Sequence, residues 1–512
     1  MPQPHQPLDT PSRHPFSLVA WADNAWTALR EQIFHHPWPT PLVRLAKPAV
    51  LSAMQRITKG NLRLITSSDV YHFPPLTTSI PRSTNEPKAE LRVVNDVFWI
   101  RLFTMGDLGF SEAYMYGEVE CDDLVSLFKI FLLNRQNLSH MDSYTSYLFS
   151  IPQKLTSWRF LNTVSNSQSN ISAHYDISNA MFAGFLSEDM TYSCAIFESL
   201  DGDLATGCQE QSTWGEGQLS AGVNPANGVT ELDNTLPRGN LHDAQVRKLN
   251  HIISKARISS GQKVLEIGSG WGSMAILIAQ RFPGTTVDTL TLSVQQQSLA
   301  QARIKKAGFE DRVTVHLMDY RTMPSSWHSL FDRVISIEMI ESVGAEFMVD
   351  YWRIIDWALK SQGGIGVVQV ITIPEARLDR YIQEVDFIRK WVFPGGFLPT
   401  LTMLLQTMEK GSSGRLIVDS VCNIGPHYAR TLREWRKRFI NRFETAIVPA
   451  LKAEHPTVMN GPHGREEIEV FKRKWLYYYC YCEAGFAARV LGDHILTFTR
   501  EGCEGYGCDV LQ

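Results

Sequence analysis

The sequence has no long hydrophobic run, and no stretch reaches the roughly 18 uncharged apolar residues that a membrane-spanning helix needs. The N-terminal segment MPQPHQPLDTPSRHPF also lacks the apolar core of a secretory signal. These two absences predict a cytoplasmic protein, which can associate with a membrane only peripherally.

Cysteine is scarce, with eight residues unevenly spread over a chain of 512. This content does not favour a disulfide framework. Cys480 and Cys482 are spaced C-x-C without a matching set of His or Cys ligands. We therefore predict buried thiols in an aromatic element here, and no metal site.

The chain also lacks a strong net charge: its formal value is −4 at pH 7. Such a balance gives no general attraction to nucleic acid, and we predict no nucleic-acid partner. The content of 44% hydrophobic and 20% charged residues is typical of a globular protein. A chain of this length predicts two or three packed units.

The first 155 residues divide into an arm and a small domain. Residues 1–50 are rich in Pro and His and predict a loosely ordered arm. The arm ends in a segment that we interpret as a helix leading into the first domain, with a membrane-contact helix as the alternative. In 51–155 the alternating runs GNLRLIT and ELRVVNDVFWIRLF predict strands, followed by helix, in an α+β domain that could contact lipid.

The remaining residues, 156–512, contain a predicted α/β domain. The segment 201–240 is dense in Gly, Asn, Ser and Asp and predicts a mobile surface insertion. After it, helical segments separate five strand candidates: KVLEIG, TTVDTLTLS, DRVTVHLMD, FDRVISIEM and GGIGVVQVITI. This rhythm predicts a doubly wound, mostly parallel sheet, with a more helical and aromatic C-terminal third.

The segment VLEIGSGWGS predicts a ligand-binding turn after the first of these strands. Gly268, Gly270 and Gly272 give G-x-G-x-G, whereas a dinucleotide site favours G-x-G-x-x-G, and no Lys-Ser/Thr pair follows as in a phosphate-binding loop. Together with the acid Glu266, such a turn suits a ligand with an amino-acid end, because backbone N–H groups can approach it closely. S-adenosylmethionine fits that description.

Two later strand ends offer further groups for this ligand. In TLTLSVQQQ, Thr291 and Gln296 are candidates for the ribose, although Ser293 is equally explained as a helix N-cap. In HLMDYR, Asp319 and Tyr320 suit an adenine edge and face, with simple turn formation as the alternative.

Several longer segments carry a more specific signal. SAHYDISNAMFAGFLSEDMTYSCAIFE, VLEIGSGWGS, TLTLSVQQ, SIEMIESVG, DFIRKWVFPGGFLPT, HYARTLREW and YYYCYCEAGF occur in this order. Over roughly residues 50 to 500 the chain thereby resembles the cyclopropane-fatty-acyl-phospholipid synthase family, including its mycolic acid cyclopropane synthase relatives.

This resemblance implies a class I S-adenosylmethionine-dependent methyltransferase fold with helical lid elements. The implied reaction transfers a methyl group to a cis double bond of an unsaturated phospholipid, after which proton loss closes a cyclopropane ring. Tyr192, Ser193 and Leu292 join the expected cofactor site. The resemblance implies peripheral membrane contact, and a homodimer is compatible with it. We also expect Tyr175, Phe182, Phe185, Tyr192 and Phe197 to form either an apolar channel or ordinary core.

The resemblance further implies a bound bicarbonate ion as the base. Carried over to this sequence, its ligands are Glu341, Tyr428 and backbone groups near Cys194, with Glu338 as the rival carboxylate. The resemblance also places Gln369 where many members have a His and Ile371 at the Ile two residues later, and these two complete the catalytic candidates. Gln369 can donate a hydrogen bond but cannot carry a proton. For Cys194 we expect the backbone N–H to act, because no His motif pairs with its thiol.

Three other functions are compatible with parts of the pattern. A methyl-branching lipid C-methyltransferase, similar to the sphingolipid C9-methyltransferases, would use the same cation but lose a different proton. A non-catalytic lipid- or cofactor-binding relative would have lost its base, and the retained Glu341 and Tyr428 disfavour it. The glycine spacing disfavours a dinucleotide oxidoreductase.

Overall fold

The computed structural model describes residues 40–75, 86–138, 178–202 and 240–503. Most of the predicted arm, Tyr175 and all but the edges of the predicted insertion at 201–240 lie outside these ranges. The segment expected to be a helix before the first domain is helical from Thr40.

The N-terminal unit is a four-stranded sheet with helices, in the strand order β2-β1-β3-β4. Strands β1 and β3 are parallel, while β2 and β4 pair antiparallel with their neighbours. The elements are α1 Thr40–Met54, β1 Asn61–Ile65, β2 Val70–Phe73, β3 Lys88–Val93, α2 Val97–Met115, β4 Val119–Cys121, α3 Leu124–Leu133 and α4 Arg135–Leu138.

One strand prediction in this unit is wrong. The run ELRVVNDVFWIRLF is a strand only as far as Val93, and its second half begins helix α2. The side chain of Asn95 accepts a hydrogen bond from the backbone N–H of Val97, and the Trp99 indole donates to Asp96. These local bonds start the helix and override the alternating hydrophobic pattern.

The larger unit is built on a seven-stranded sheet in the order β10-β11-β9-β8-β5-β6-β7. The five strands predicted from the sequence are confirmed, and every pairing among them is parallel. β10 and β11, which the sequence did not reveal, are antiparallel to their partners. The strands are β5 Lys263–Ile267, β6 Thr286–Thr291, β7 Val313–Leu317, β8 Arg333–Ile337, β9 Ile365–Thr372, β10 Leu416–Asn423 and β11 Gly492–Arg500.

Helices pack on both faces of this sheet. Consecutive residues of β9, Val367 and Val368, belong to two different buried hydrophobic clusters, as expected when each face has its own core. The helices are α5 Asn179–Phe185, α6 Asn240–Lys255, α7 Ser273–Arg281, α8 Val294–Ala307, α9 Met348–Ala358, α10 Leu378–Gln383, α11 Leu401–Ser412, α12 Gly425–Arg442, α13 Val448–Glu454, α14 Pro456–Met459 and α15 Gly464–Ala487. Short π-helices cover Ile388–Val392 and Phe443–Ile447.

Helix α15 joins the two units through aromatic side chains. Its Tyr477 packs 5.0 Å from Phe128 of α3 and 4.5 Å from Phe387, measured between ring centroids. Nearby, Lys390 forms an ion pair of 2.8 Å with the fully buried Glu112 of α2. The small domain therefore contacts the segment that follows α10.

Within the described ranges, no helix is long and apolar enough to cross a bilayer.

Candidate functional site

The glycine turn follows β5, at the carboxyl edge of the parallel strands, where ligands bind in sheets of this type. Gly268, Gly270 and Gly272 all have positive φ, of 101°, 47° and 87°. The backbone N–H groups of Gly268 and Ser269 donate to the carbonyl of Leu290, which fixes the turn against β6. A Cβ placed on Gly270 would meet no protein atom within 4 Å, so this position borders open space.

One pocket lies over this turn. It is lined by all the cofactor residues expected from the sequence except Gly272, which instead begins helix α7: Tyr192, Ser193, Glu266, Gly268, Gly270, Thr291, Leu292, Gln296, Asp319 and Tyr320. The backbone thus brings together residues from four separate stretches of the chain, 192–193, 266–270, 291–296 and 319–320. Glu338 and Lys248 line the same pocket.

Glu266 is a buried acid in the pocket wall. Its carboxylate accepts a hydrogen bond of 2.6 Å from the hydroxyl of Thr289. Burial raises the pKa of Glu266 to about 8, which the Thr289 hydrogen bond and the charge of Lys248 only partly oppose. The acid is therefore mostly protonated at neutral pH, until a cation approaches it.

The other cofactor candidates combine local structure with access to the pocket. Ser293 caps helix α8 by accepting from the N–H of Gln296, as its alternative interpretation stated. The hydroxyl of Thr291 donates to the side chain of Gln296 at 2.8 Å. Asp319 accepts from Arg321 and also starts a turn, while the buried hydroxyl of Tyr320 has no partner among the described residues.

Glu338, directly after β8, is held by three hydrogen-bond donors. Its Oε1 accepts from the backbone N–H of Cys194 and from Nε2 of Gln369, each at 2.8 Å, and its Oε2 accepts from the hydroxyl of Tyr428 at 2.7 Å. Glu338 has φ 48°, in the left-handed region that non-glycine residues avoid. Such a conformation costs on the order of 1 kcal/mol, and it is commonest at functional sites.

A second carboxyl shares one of these donors. Nε2 of Gln369 lies 2.8 Å from Oδ2 of Asp493, so that one amide nitrogen serves both acids. Burial and the neighbouring Glu338 raise the pKa of Asp493 well above its ordinary value. The fully buried Lys248 donates to the hydroxyl of Ser193 at 2.6 Å and adds a positive charge to this region. Burial lowers the pKa of Lys248, while the charge of Glu338 opposes that shift.

Glu341 is held by a different donor from those that bind Glu338. Its Oε1 accepts a 2.6 Å hydrogen bond from the backbone N–H of Ile371, and its Oε2 is buried without a partner among the described residues. Burial, and next the charge of Glu338, raise the pKa of Glu341 to about 8. Of the five catalytic candidates, Tyr428, Cys194 and Gln369 thus meet at Glu338, while Ile371 binds Glu341.

The thiol of Cys194 is buried and lies near the carbonyl oxygens of Ala195 and Ile424. Burial raises the pKa of this thiol well above its ordinary value. A thiol that stays protonated is a poor nucleophile. The contribution of Cys194 to the site is its backbone N–H, which binds Glu338.

Comparison with known proteins identifies the family. A family model described as mycolic acid cyclopropane synthetase matches residues 162–492, well over half of the chain. The chain belongs to the mycolic acid cyclopropane synthetase family. It is accordingly an S-adenosylmethionine-dependent enzyme of lipid methyl transfer or cyclopropanation.

Three known proteins are similar to this chain over most of its length. A tuberculostearic acid methyltransferase of Mycobacterium tuberculosis is 34% identical over 403 residues, which cover 78% of this chain and 81% of that protein. The cyclopropane-fatty-acyl-phospholipid synthase of Escherichia coli is 28% identical over 414 residues, covering 80% and 88%. A solved structure of coclaurine N-methyltransferase covers 76% of this chain and 98% of its own, with a TM-score of 0.53 and 18% identity. This last similarity shows the fold, and the predicted class I methyltransferase architecture is confirmed.

S-adenosylmethionine, the methyl donor of this synthetase family, suits the pocket on physical grounds. Its amino-acid end carries an ammonium group, for which the buried carboxyl of Glu266 is a matching partner. The open space at Gly270 lets the ligand approach the backbone closely.

Bicarbonate, in contrast, does not fit the donors that the family resemblance assigns to it. The backbone N–H of Cys194, the hydroxyl of Tyr428 and the amide of Gln369 already bind the carboxylate of Glu338. The backbone N–H of Ile371 likewise binds Glu341. A free anion would also face three neighbouring carboxyl groups, those of Glu338, Glu341 and Asp493.

An aromatic cluster borders the glycine turn, formed by Phe182, Phe185, Tyr192, Trp271 and Trp435. Trp271 belongs to the turn itself and packs 5.0 Å from Phe182 between ring centroids, while Tyr192 packs 5.1 Å from Trp435. Phe182 and Phe185 are fully buried, so they are core in this conformation. Phe197, also expected in this group, instead stacks on His427.

The sequence alone did not indicate two residues of the site. Lys248 lies within an ordinary amphipathic helix, and Asp493 lies in a strand that the sequence analysis did not predict. A Lys and an Asp with no exposed surface are rare unless they have partners, but burial cannot be read from a single sequence.

Proposed function

We propose that the protein transfers the methyl group of S-adenosylmethionine to a cis double bond in the acyl chain of an unsaturated phospholipid, and that proton loss then closes a cyclopropane ring. The observation that carries this proposal is the carboxylate of Glu338, which three donors hold in the wall of the cofactor pocket. A proton acceptor next to the methyl donor is what ring closure needs, because the methyl group must lose a proton after its transfer.

The surroundings of the pocket support this chemistry. An alkene is a weak nucleophile, so that it must be held in line with the sulfonium, and water would trap the cation that forms. Two members of the aromatic cluster, Tyr192 and Trp271, line the pocket and provide apolar surface beside the glycine turn. The faces of aromatic rings favour a neighbouring positive charge.

The phospholipid substrate is supported by the named activity of the Escherichia coli relative. Because such a substrate resides in a bilayer, we propose that the protein contacts membranes peripherally. Co-sedimentation with vesicles of unsaturated phospholipid tests this contact, and equal recovery in the supernatant with and without vesicles would contradict it.

A methyl-branched product is a second candidate, favoured by a different relative. The protein at 34% identity is named as a methyltransferase of tuberculostearic acid. Both outcomes begin with the same methyl transfer and differ in the step that follows. The set of donors on Glu338 supports catalysis over the non-catalytic alternative, since a binding protein has no need of a positioned base.

Labelled cofactor separates these outcomes. The purified chain is incubated with S-adenosylmethionine carrying a trideuterated methyl group and with vesicles of a monounsaturated phospholipid, and the acyl chains are analysed by mass spectrometry and NMR. Ring closure leaves two deuterium atoms on the new carbon and gives upfield cyclopropane signals. A methylene product keeps the same mass but gives vinyl signals, and a reduced branch adds two hydrogens. Absence of any labelled acyl chain would overturn the proposal.

A further inference from the structure

The carboxylate of Glu338 lies where the family resemblance calls for a separate anion. The three donors expected to hold bicarbonate, from Cys194, Gln369 and Tyr428, all bind the two oxygens of this one side chain. A carboxylate and a bicarbonate ion present the same pair of acceptor oxygens to such donors. The side chain therefore replaces the ion within the same set of hydrogen bonds.

The backbone conformation explains how Glu338 reaches this position. β8 ends at Ile337, and Glu338 follows it with φ 48°. Its N–H donates to the carbonyl of Gln369, which ties the turn to β9. This left-handed turn is unfavourable for a residue with a side chain, so that its presence here indicates a function for the carboxylate.

Burial raises the pKa of Glu338, while its hydrogen bonds, the charge of Lys248 and the neighbouring acid Asp493 oppose that shift and favour the ionised form. Glu338 accepts three hydrogen bonds, which stabilise its charged form, while Asp493 accepts one from Gln369 and is the better holder of a proton. The buried ammonium of Lys248 is the nearby positive charge in this region. Glu338 and Asp493 thus resemble two acids that share one proton. Asp493 holds the proton, and Glu338, which lines the cofactor pocket, is the base.

We infer that Glu338 is the catalytic base of this enzyme and that the reaction proceeds without bicarbonate. This inference rests on the proposed function. The bond between the methyl carbon and sulfur breaks with its electrons going to sulfur, while the π electrons of the alkene form the new carbon–carbon bond. A C–H bond of the transferred methyl then breaks, its electron pair closes the ring, and the proton passes to the carboxylate of Glu338.

The first test uses the unaltered protein. Turnover is measured in buffer freed of carbon dioxide and again with bicarbonate added, using the labelled cofactor and monounsaturated vesicles. We expect equal rates, within about twofold. A severalfold stimulation by bicarbonate would overturn the role of Glu338. Complete lack of product under both conditions would instead contradict the proposed function, so that the two failures are distinguishable.

Variants give the second test. Glu338→Gln keeps the size but removes the base, and we expect turnover to fall on the order of a hundredfold or more, with no rescue by bicarbonate. Glu338→Gly relieves the left-handed backbone and frees the three donors. Added bicarbonate or formate should therefore raise the turnover of this variant by at least about tenfold. Glu341→Gln should lose less than about tenfold, since Glu341 does not share these donors.

Binding of S-adenosylmethionine, measured by calorimetry, controls for folding in each variant. If Glu338→Gln bound the cofactor and kept a near-normal rate, or if Glu338→Gly bound the cofactor but was not rescued, the assignment of the base to Glu338 would be wrong.

Discussion

The hydroxyl of Tyr428 lies 2.7 Å from Oε2 of Glu338, although 90 positions separate the two residues along the chain. The bond joins the start of α12 to the end of β8, where the side chain of Tyr428 is buried and that of Glu338 is half-buried. It stabilises the charged form of Glu338, because a donated hydrogen bond favours a carboxylate over its acid.

Tyr428→Phe removes this donor and should slow turnover by about tenfold to a hundredfold. Without the donor the pKa of Glu338 rises, so that the acidic limb of the pH–rate profile should move to higher pH. Tyr479→Phe is the matched control, since the hydroxyl of Tyr479 is buried without a partner among the described residues. Parallel losses in the two variants, with no shift of the pH profile, would contradict this role.

Binding of S-adenosylmethionine should release a proton at pH 7. The pKa of Glu266 is about 8 in the unliganded protein, so that the acid is mostly protonated, and an ammonium beside it lowers that pKa and expels the proton. Calorimetric titrations in buffers of different ionisation enthalpy measure the number released. We expect somewhat under one proton for the unaltered protein and close to none for Glu266→Gln. Equal release by both proteins would exclude Glu266 as its source.

Gly270→Val should weaken binding of S-adenosylmethionine by about tenfold or more, because the added side chain fills the space in which the ligand approaches the backbone. The matched control is Gly363→Val: Gly363 also has a positive φ and open space around it, but it is not in the pocket wall. Both variants should lower Tm, while only the first should change the Kd measured by calorimetry. An unchanged Kd in a folded Gly270→Val protein would refute the placement of the ligand at this turn.

The free energy of unfolding of the unliganded protein should fall as pH rises from about 5 to 8. Glu341 titrates near 4.5 in an unfolded chain but has a pKa of about 8 when folded, so that between these values the folded state binds the extra proton. Its contribution to the slope is at most about 1.4 kcal/mol per pH unit, and it vanishes above pH 8. Urea unfolding at several pH values should give a shallower slope for Glu341→Gln. Identical slopes would contradict the raised pKa.

The sequence predicted the parallel part of the large sheet because each of its strands is a short apolar run bounded by turn residues. β9 shows the pattern in its extreme form, since nearly all of Ile365–Thr372 is buried. β11 is equally buried, but its run starts with Gly492, Asp493 and His494 and directly follows a long helix, so that no turn signal marked it. β10 is largely exposed and shows only a weak alternation.

At the site, the sequence predicted the cofactor turn but not the arrangement of the two carboxylates Glu338 and Glu341. Motif order indicated the cofactor turn and the residues that surround it, because those positions are adjacent to strand ends. The two carboxylates differ in their tertiary contacts: Glu338, with a φ of 48°, accepts from the hydroxyl of Tyr428, whereas Glu341 accepts from the backbone N–H of Ile371. Local sequence has no signal for that angle, since a Glu at positive φ is held there by its tertiary contacts.

The position of β11 in the sheet has a consequence for biosynthesis. β11 lies between β9 and β10 and provides Asp493, whose hydrogen bond to Gln369 spans 124 positions of the chain. The ribosome must therefore synthesise Gly492–Arg500 before Asp493 can come close to Gln369 and Glu338. Until then the edges of β9 and β10 lack the strand that pairs with both. A nascent chain interrupted before Gly492 contains the glycine turn but lacks Asp493, and its strands β9 and β10 have no shared partner to cover their edges.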